Sequence, residues 1–178
     1  VRLSNFSLCV GGENQRYNYI QNGKFVDNID KWKTNNFDGK DLITPISNNE
    51  ILNKIFTTGL KITGNLNKIK EIKQEIKLSG GAGEELLFSF FKKANLTLND
   101  ICYAYMEISY TILGNKTYSF KIGTNVKEYE KVIQSIITES SYNKVTVGVK
   151  YLGKSDLILT DFGLFKEEFG NYYSFTEN

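Results

Sequence analysis

Residues 101–112 constrain the fold more than any other stretch of this chain. Every second position, Cys102, Ala104, Met106, Ile108, Tyr110 and Ile112, is small or apolar. The positions between them, Ile101, Tyr103, Tyr105, Glu107, Ser109 and Thr111, mix aromatic with polar side chains. Successive side chains of a strand point to opposite faces of its sheet, so this period of two predicts a strand with one core face and one face open to water or ligand. The first set is assigned to the core. The same period recurs along the chain. Residues 71–78 alternate Ile72, Gln74, Ile76 and Leu78 with charged side chains, and 144–151 set Val145, Val147, Val149 and Tyr151 against Thr146, Gly148 and Lys150. In 116–122, Tyr118, Phe120 and Ile122 alternate with polar residues, and 131–138 is rich in Val and Ile. Residues 60–63 and 86–93 read as further strands, and 156–165 is more continuously apolar, as a central strand can be. Gly64-Asn65, Gly80-Gly81, Asn99-Asp100, Gly114-Asn115 and Gly153 punctuate these runs as turns. Many short strands joined by such turns predict an all-β, two-sheet antiparallel β-sandwich of jelly-roll type. The one helix candidate is 48–56, where Ile51, Leu52, Ile55 and Phe56 can share a face behind an Asn cap, with a loop or short strand as the alternative.

Composition then removes whole classes of function. The chain has 178 residues, enough for one domain with short arms, and carries 22 basic and 20 acidic side chains, a net charge of +2. A balance so near neutral gives no electrostatic reason to expect a nucleic acid partner. No histidine is present, which excludes His-based acid–base catalysis, Ser-His and Cys-His nucleophilic sites and His-containing zinc sites. Cys9 and Cys102 lack Cys-x-x-Cys spacing, so zinc and thioredoxin-like chemistry are not expected; whether the two pair is open, with a buried free thiol as the simpler reading of Cys102. No run of about 18 apolar residues exists, so membrane insertion is not expected. Val1 opens without a charged segment followed by an apolar one, which leaves a cytosolic chain or an internal piece of an exported one.

Specific segments resemble a known family. Residues 19–32, YIQNGKFVDNIDKW, look like the opening of carbohydrate-binding-module-like jelly rolls, and 60–64, LKITG, is similar to their second signature strand. Residues 71–94, with the Gly81-Ala82-Gly83 turn and Lys93-Ala94, resemble the next hairpin. Residues 159–170, LTDFGLFKEEFG, resemble the closing strand and exit of the module found in RHS/YD-repeat cell-surface proteins of Gram-positive bacteria. The resemblance implies a jelly roll over 17–166, an N-terminal arm or linker over 1–16, and an exit segment over 167–178 toward following repeats. It also implies a secreted or cell-surface parent, neighbouring domains of the same chain as partners, and a glycan as ligand.

The candidate site is the strand face that the core does not claim. A pyranose presents C–H groups to an aromatic ring and hydroxyls to polar neighbours, so Phe91, Tyr103 and Tyr105 are expected to supply rings, and Lys93, Glu107 and Ser109 hydrogen-bonding groups. Phe91 joins the tyrosines only if its strand is their neighbour. Trp32, the only tryptophan, holds a position that in the family mainly packs the core edge, with ligand stacking as its second role, and Tyr129 falls where relatives pack an aromatic. Relatives often hold a structural calcium between the N-terminal segment and an acid near the last strand. Here Asp27 and Asp161 are present, but Val26 and Thr160 stand where relatives favour acids, so no cofactor and no metal is expected. Glu84-Glu85 and Glu167-Glu168 are adjacent pairs near turns, which does not face two carboxyls across one cleft as a glycosidase needs. No P-loop or dinucleotide fingerprint occurs. The expectation is a non-catalytic, carbohydrate-binding-like module. The alternative is a structural spacer that docks on neighbouring domains without a small ligand.

Overall fold

The computed structural model describes residues 17–46, 57–94, 96–97, 99–123 and 126–167, and among these there is no helix. The segment 48–56, where a helix was one expectation, lies outside the described residues, as do Cys9, the arm 1–16 and the exit from 168 onward.

Ten strands build the domain: β1 (Lys33–Asn35), β2 (Leu42–Pro45), β3 (Thr58–Ile62), β4 (Asn65–Ile76), β5 (Glu85–Ala94), β6 (Ile101–Tyr110), β7 (Gly114–Lys121), β8 (Val126–Ile137), β9 (Tyr142–Gly153) and β10 (Leu157–Glu167). They form two antiparallel five-stranded sheets, ordered β1-β4-β9-β6-β7 and β2-β3-β10-β5-β8. The chain changes sheet at most of its connections; β2–β3 and β6–β7 are the hairpins whose partners are also sequence neighbours. This is the expected two-sheet sandwich.

The alternation that predicted β6 is what packs it. Cys102, Ala104, Met106, Ile108 and Tyr110 are buried against Val145, Val147, Val149 and Tyr151 of β9 and the facing sheet. Ile112 corrects the expectation: β6 ends at Tyr110, and Ile112 sits in the turn to β7, 82% exposed. The period counts only while the chain remains a strand. Between the sheets, Phe25, Trp32, Phe88, Phe90 and Phe162 form an aromatic cluster, with Phe90 and Phe162 stacked at 5.0 Å and Trp32 tilted against Phe162 at 4.8 Å. Each such ring removed from water contributes on the order of 1.5–3 kcal/mol.

Two irregularities shape the ends. In β10 the register slips between Thr160 and Gly163, with Asp161 at φ 52°, so one extra residue is accommodated as a bulge. The inward phase therefore switches from Leu157 and Leu159 to Phe162 and Leu164, which is why 156–165 looked continuously apolar rather than alternating. Midway along β4, Lys70 is only 1% exposed, its ammonium 2.8 Å from both oxygens of Asp41 and 3.0 Å from Asp38. Burial pulls the Lys70 pKa down, but the hydrogen bonds to Asp41 and Asp38 outweigh it and raise the value above 10.5, so the charge persists. This knot ties the β1–β2 connection to β4. The short strands β1 and β2 themselves carry no alternation that announces them in the sequence.

Candidate functional site

Residues in register across a sheet share a face, and the strand order β4-β9-β6-β7 assembles one outer face row by row. The first row runs Asn35, Glu71, Lys150, Tyr103, Lys121; the next runs Lys33, Lys73, Gly148, Tyr105, Ser119; the third joins Glu75, Thr146, Glu107 and Thr117. Tyr103, Tyr105 and Glu107 are thus brought together as expected, on a face that points away from the core.

They are not equally available. Tyr103 is 36% exposed, whereas Tyr105 is 6% exposed although it lies outside the core cluster. The Tyr105 ring lies across Gly148, where an added Cβ would sit 2.8 Å from ring atom Cε1. Its hydroxyl donates to Glu71 Oε1 at 2.8 Å, and Lys150 Nζ sits 5.1 Å above the ring centroid. Burial first, and then the bond to the Glu71 carboxylate, push the Tyr105 phenol pKa up, so it remains a donor throughout the physiological range. Tyr105 is therefore a floor of the site and Tyr103 its accessible ring. The expectation that both tyrosines are open is corrected: Gly148 makes the room and Lys150 supplies the lid, both from β9.

The other expected site residues separate from this face. Phe91 and Lys93 lie on β5, in the other sheet, so they cannot join Tyr103 in one contact surface. Phe91 is buried against Ile46 and beside Tyr129, and Lys93 Nζ lies 5.3 Å over the Tyr129 ring. Trp32 is 7% exposed within the aromatic core, its Nε1–H donating to Asn22 O at 3.1 Å, which leaves no free ring face for a ligand. The face that does form is completed by residues that sequence reasoning did not select: Glu71 and Lys73 of β4, Gly148 and Lys150 of β9, and Lys121 of β7. Their alternation was readable, but their adjacency to Tyr103 depends on strand order.

Its electrostatics are ion-paired. Glu75 accepts from Lys33 at 2.7 Å and lies 3.6 Å from Lys144; Glu71 lies 3.8 Å from Lys73 and 3.7 Å from Lys150. The hydrogen bond from Lys33 holds the Glu75 carboxyl below its usual range. Glu107 accepts from Thr117 Oγ1 at 3.4 Å. Three carboxylates thus share the face, which the adjacent Glu pairs of the sequence did not indicate. Glu84, one of those pairs, instead serves packing: it accepts from Tyr142 at 2.8 Å and pairs with Lys166 at 2.9 Å.

The place considered for calcium is a cleft of about 310 Å³ lined by Asp27 and Asp161 with Asn18, Asn22, Lys24 and Val26. Asn18 Oδ1 already accepts from the amides of Ile20 and Leu164, and Asn22 Oδ1 from that of Asp27. Among the described residues no third His, Cys, Asp or Glu side chain joins the two aspartates.

The sequence matches no family model and no curated protein. Solved structures do match the fold. The enzymatically active domain of tailspike protein 4 from bacteriophage CBA120 aligns over 84% of this chain and 21% of its own, with a TM-score of 0.66 at 12% identity. This chain therefore spans about a fifth of that protein. A CBM61 module solved with β-1,4-galactotriose aligns over 85% of this chain and 99% of its own (TM-score 0.61, 14% identity). A family 16 carbohydrate-binding module aligns over 83% and 99% (TM-score 0.60, 15% identity). At such identities the likeness establishes the fold alone, a two-sheet β-sandwich shared with these carbohydrate-binding modules and the tailspike domain.

Proposed function

We propose that the chain is a non-catalytic glycan-binding module of an exported repeat protein, and that it contacts its ligand across the outer face of the β1-β4-β9-β6-β7 sheet. The observation that carries this is the Tyr103 ring, half-exposed in the middle of a row of hydrogen-bonding side chains, over a floor fixed by Tyr105, Gly148 and Glu71. An aromatic platform with polar neighbours matches the two faces of a sugar ring. Neighbours of the same fold that are carbohydrate-binding modules support the reading. So does the chemistry left out: the chain has no histidine, and Glu75 is held ionised by Lys33, the opposite of a proton-donating acid. The reading uses no metal.

A second reading is favoured by the other side of the sandwich. Ile133 and Ile137 are 49% and 53% exposed on β8, flanking Ser135, which is in register with Leu87 and Phe165 on the outer face of the second sheet, a surface suited to packing on a neighbouring domain of the parent chain.

A glycan array with the native chain and Tyr103→Ala separates the two. The glycan reading expects binding on the order of micromolar to millimolar, because a shallow open face excludes little water, and its loss in the variant. Absence of binding by the native chain leaves the spacer reading. Binding that survives Tyr103→Ala places the contact elsewhere.

A further inference from the structure

We infer that the ligand of this face is an acidic glycan, one whose pyranose rings carry a carboxylate, and that Lys121 and Lys150 receive that group on either side of Tyr103. The inference rests on the glycan-binding reading and names its substrate class.

The register brackets the accessible ring with cations. Tyr103 pairs with Lys150 on β9 and with Lys121 on β7, so an ammonium-bearing side chain stands at a cross-strand neighbour position on each side. Such neighbours have Cβ atoms about 4.5–5.5 Å apart, within reach of a sugar stacked on the ring between them. A carboxylate on a pyranose ring carbon projects outward from the ring's edge. A sugar lying on Tyr103 therefore directs that group sideways, toward one lysine or the other, rather than down into the sheet.

Charge accounting across the face points the same way. Five lysines, Lys33, Lys73, Lys121, Lys144 and Lys150, share it with three glutamates, Glu71, Glu75 and Glu107, an excess of 5 − 3 = +2. Glu75 is shared between Lys33 and Lys144, and Glu71 between Lys73, Lys150 and the Tyr105 hydroxyl, so each of these carboxylates leaves positive charge over. Lys121 has no carboxylate within ion-pair distance among the described residues. The excess is placed unevenly. The Tyr103 row holds Lys150 and Lys121 against Glu71 alone, whereas the row of Glu107 holds Glu75, Thr146 and Thr117 and no lysine. A ligand thus meets uncompensated positive charge at the Tyr103 end, whereas at the Glu107 end the ammonium groups of Lys33 and Lys144 are balanced by Glu75 and Glu107 beside the hydroxyls of Thr146 and Thr117. An acidic residue of the glycan therefore fits the Tyr103 end. On an open face such contacts act with partial screening, so they select between ligands more than they add affinity.

The test compares polygalacturonate with its carboxyl-reduced counterpart, a polymer with the same linkages but no charge. Native protein, Lys121→Gln, Lys150→Gln and Tyr103→Ala are titrated by calorimetry at about 50 and about 500 mM NaCl, the higher salt cutting the screening length to a few ångströms. The inference expects carboxyl reduction to weaken binding by about tenfold or more, and Lys121→Gln to weaken polygalacturonate by about threefold or more while leaving the reduced polymer unaffected. Lys121 is exposed and unpaired among the described residues, so its variant keeps the test clear of folding effects that Lys150→Gln brings through Glu71 and Tyr105. Equal affinity for both polymers, unchanged by Lys121→Gln, overturns the acidic ligand but leaves the glycan-binding face standing. Binding to dextran sulfate as tight as to polygalacturonate, and insensitive to Tyr103→Ala, overturns the inference in favour of bulk charge attraction. No binding to any of these polymers overturns the inference, while the glycan array decides the glycan reading itself.

Discussion

The two outer faces of this sandwich are built on the same backbone geometry and finished in opposite ways. On the β1-β4-β9-β6-β7 sheet, Tyr105 lies over Gly148 and is pinned by Glu71 and capped by Lys150. On the β2-β3-β10-β5-β8 sheet, Phe165 lies over Gly163, where an added Cβ would sit 2.5 Å from the Phe165 ring; its row continues through Leu87 to Ser135 and the Gly163 row through Ser89 to Ile133, with no ion pair among these residues. An aromatic ring over a strand glycine is common to both. The first face adds a charged frame that orients rings and can discriminate among polar ligands; the second offers area without direction. That difference is what the proposed glycan-binding reading rests on.

The sharpest way to break the comparison is to remove the rings of the first face one at a time. Tyr105→Ala takes away a buried ring and leaves Glu71 without its hydroxyl donor, so a loss of about 2–4 kcal/mol in chemical denaturation is expected. Tyr103→Ala, on the exposed ring, is expected to cost less than about 1 kcal/mol. Equal costs would mean that Tyr105 is not the floor described. A double Tyr103/Tyr105 alanine variant confounds binding with stability and is the wrong control for either.

A smaller effect comes from the two glycines. A Cβ at Gly148 would lie 2.6 Å from the Ile72 backbone oxygen as well as against Tyr105, whereas at Gly163 the nearest atoms are the far edge of the Phe165 side chain. Gly148→Ala is expected to cost about 1–3 kcal/mol and Gly163→Ala less than about 1, read as the shift in denaturation midpoint. The reverse order would show that Phe165 is held as firmly as Tyr105.

The least effect is electrostatic. Because Lys33 depresses the Glu75 pKa in the folded state, the ionised Glu75 favours the fold above its ordinary value of 4.5, and that contribution is lost as pH falls through the depressed folded value. Thermal melts of Glu75→Gln and the native chain should converge toward low pH and separate slightly above about pH 4.5, with the native chain the more stable. A gap that widens toward acid would reverse the sign and sink the assignment.

Much of the fold was readable because period two survives in β4, β6 and β9, and the inward sets Ile72, Met106 and Val147 are those the alternation names. What the period cannot carry is which strands meet. Phe91 and Tyr103 both point outward, and local sequence does not tell that β5 and β6 lie in different sheets. Tyr105 fails for the same reason: its burial is supplied by Gly148 and Lys150, more than 40 positions away, so its exposure is a property of the strand order. Trp32, whose surroundings resemble the opening of carbohydrate-binding-module-like jelly rolls, packs between Phe25 and Phe162. The slip in β10 hid its alternation, since a bulge exchanges the two faces midway.

Backbone amide and side-chain NMR of the folded chain, titrated with acidic and neutral oligosaccharides, asks whether the proposed recognition runs across the face of Tyr103. Shifts are expected to concentrate on Tyr103, Glu107, Lys121, Thr146 and Lys150, with Phe91, Ile133 and Phe165 on the opposite face unmoved. Shifts centred on Ile133 and Phe165, or on the loop beside Trp32, would contradict it.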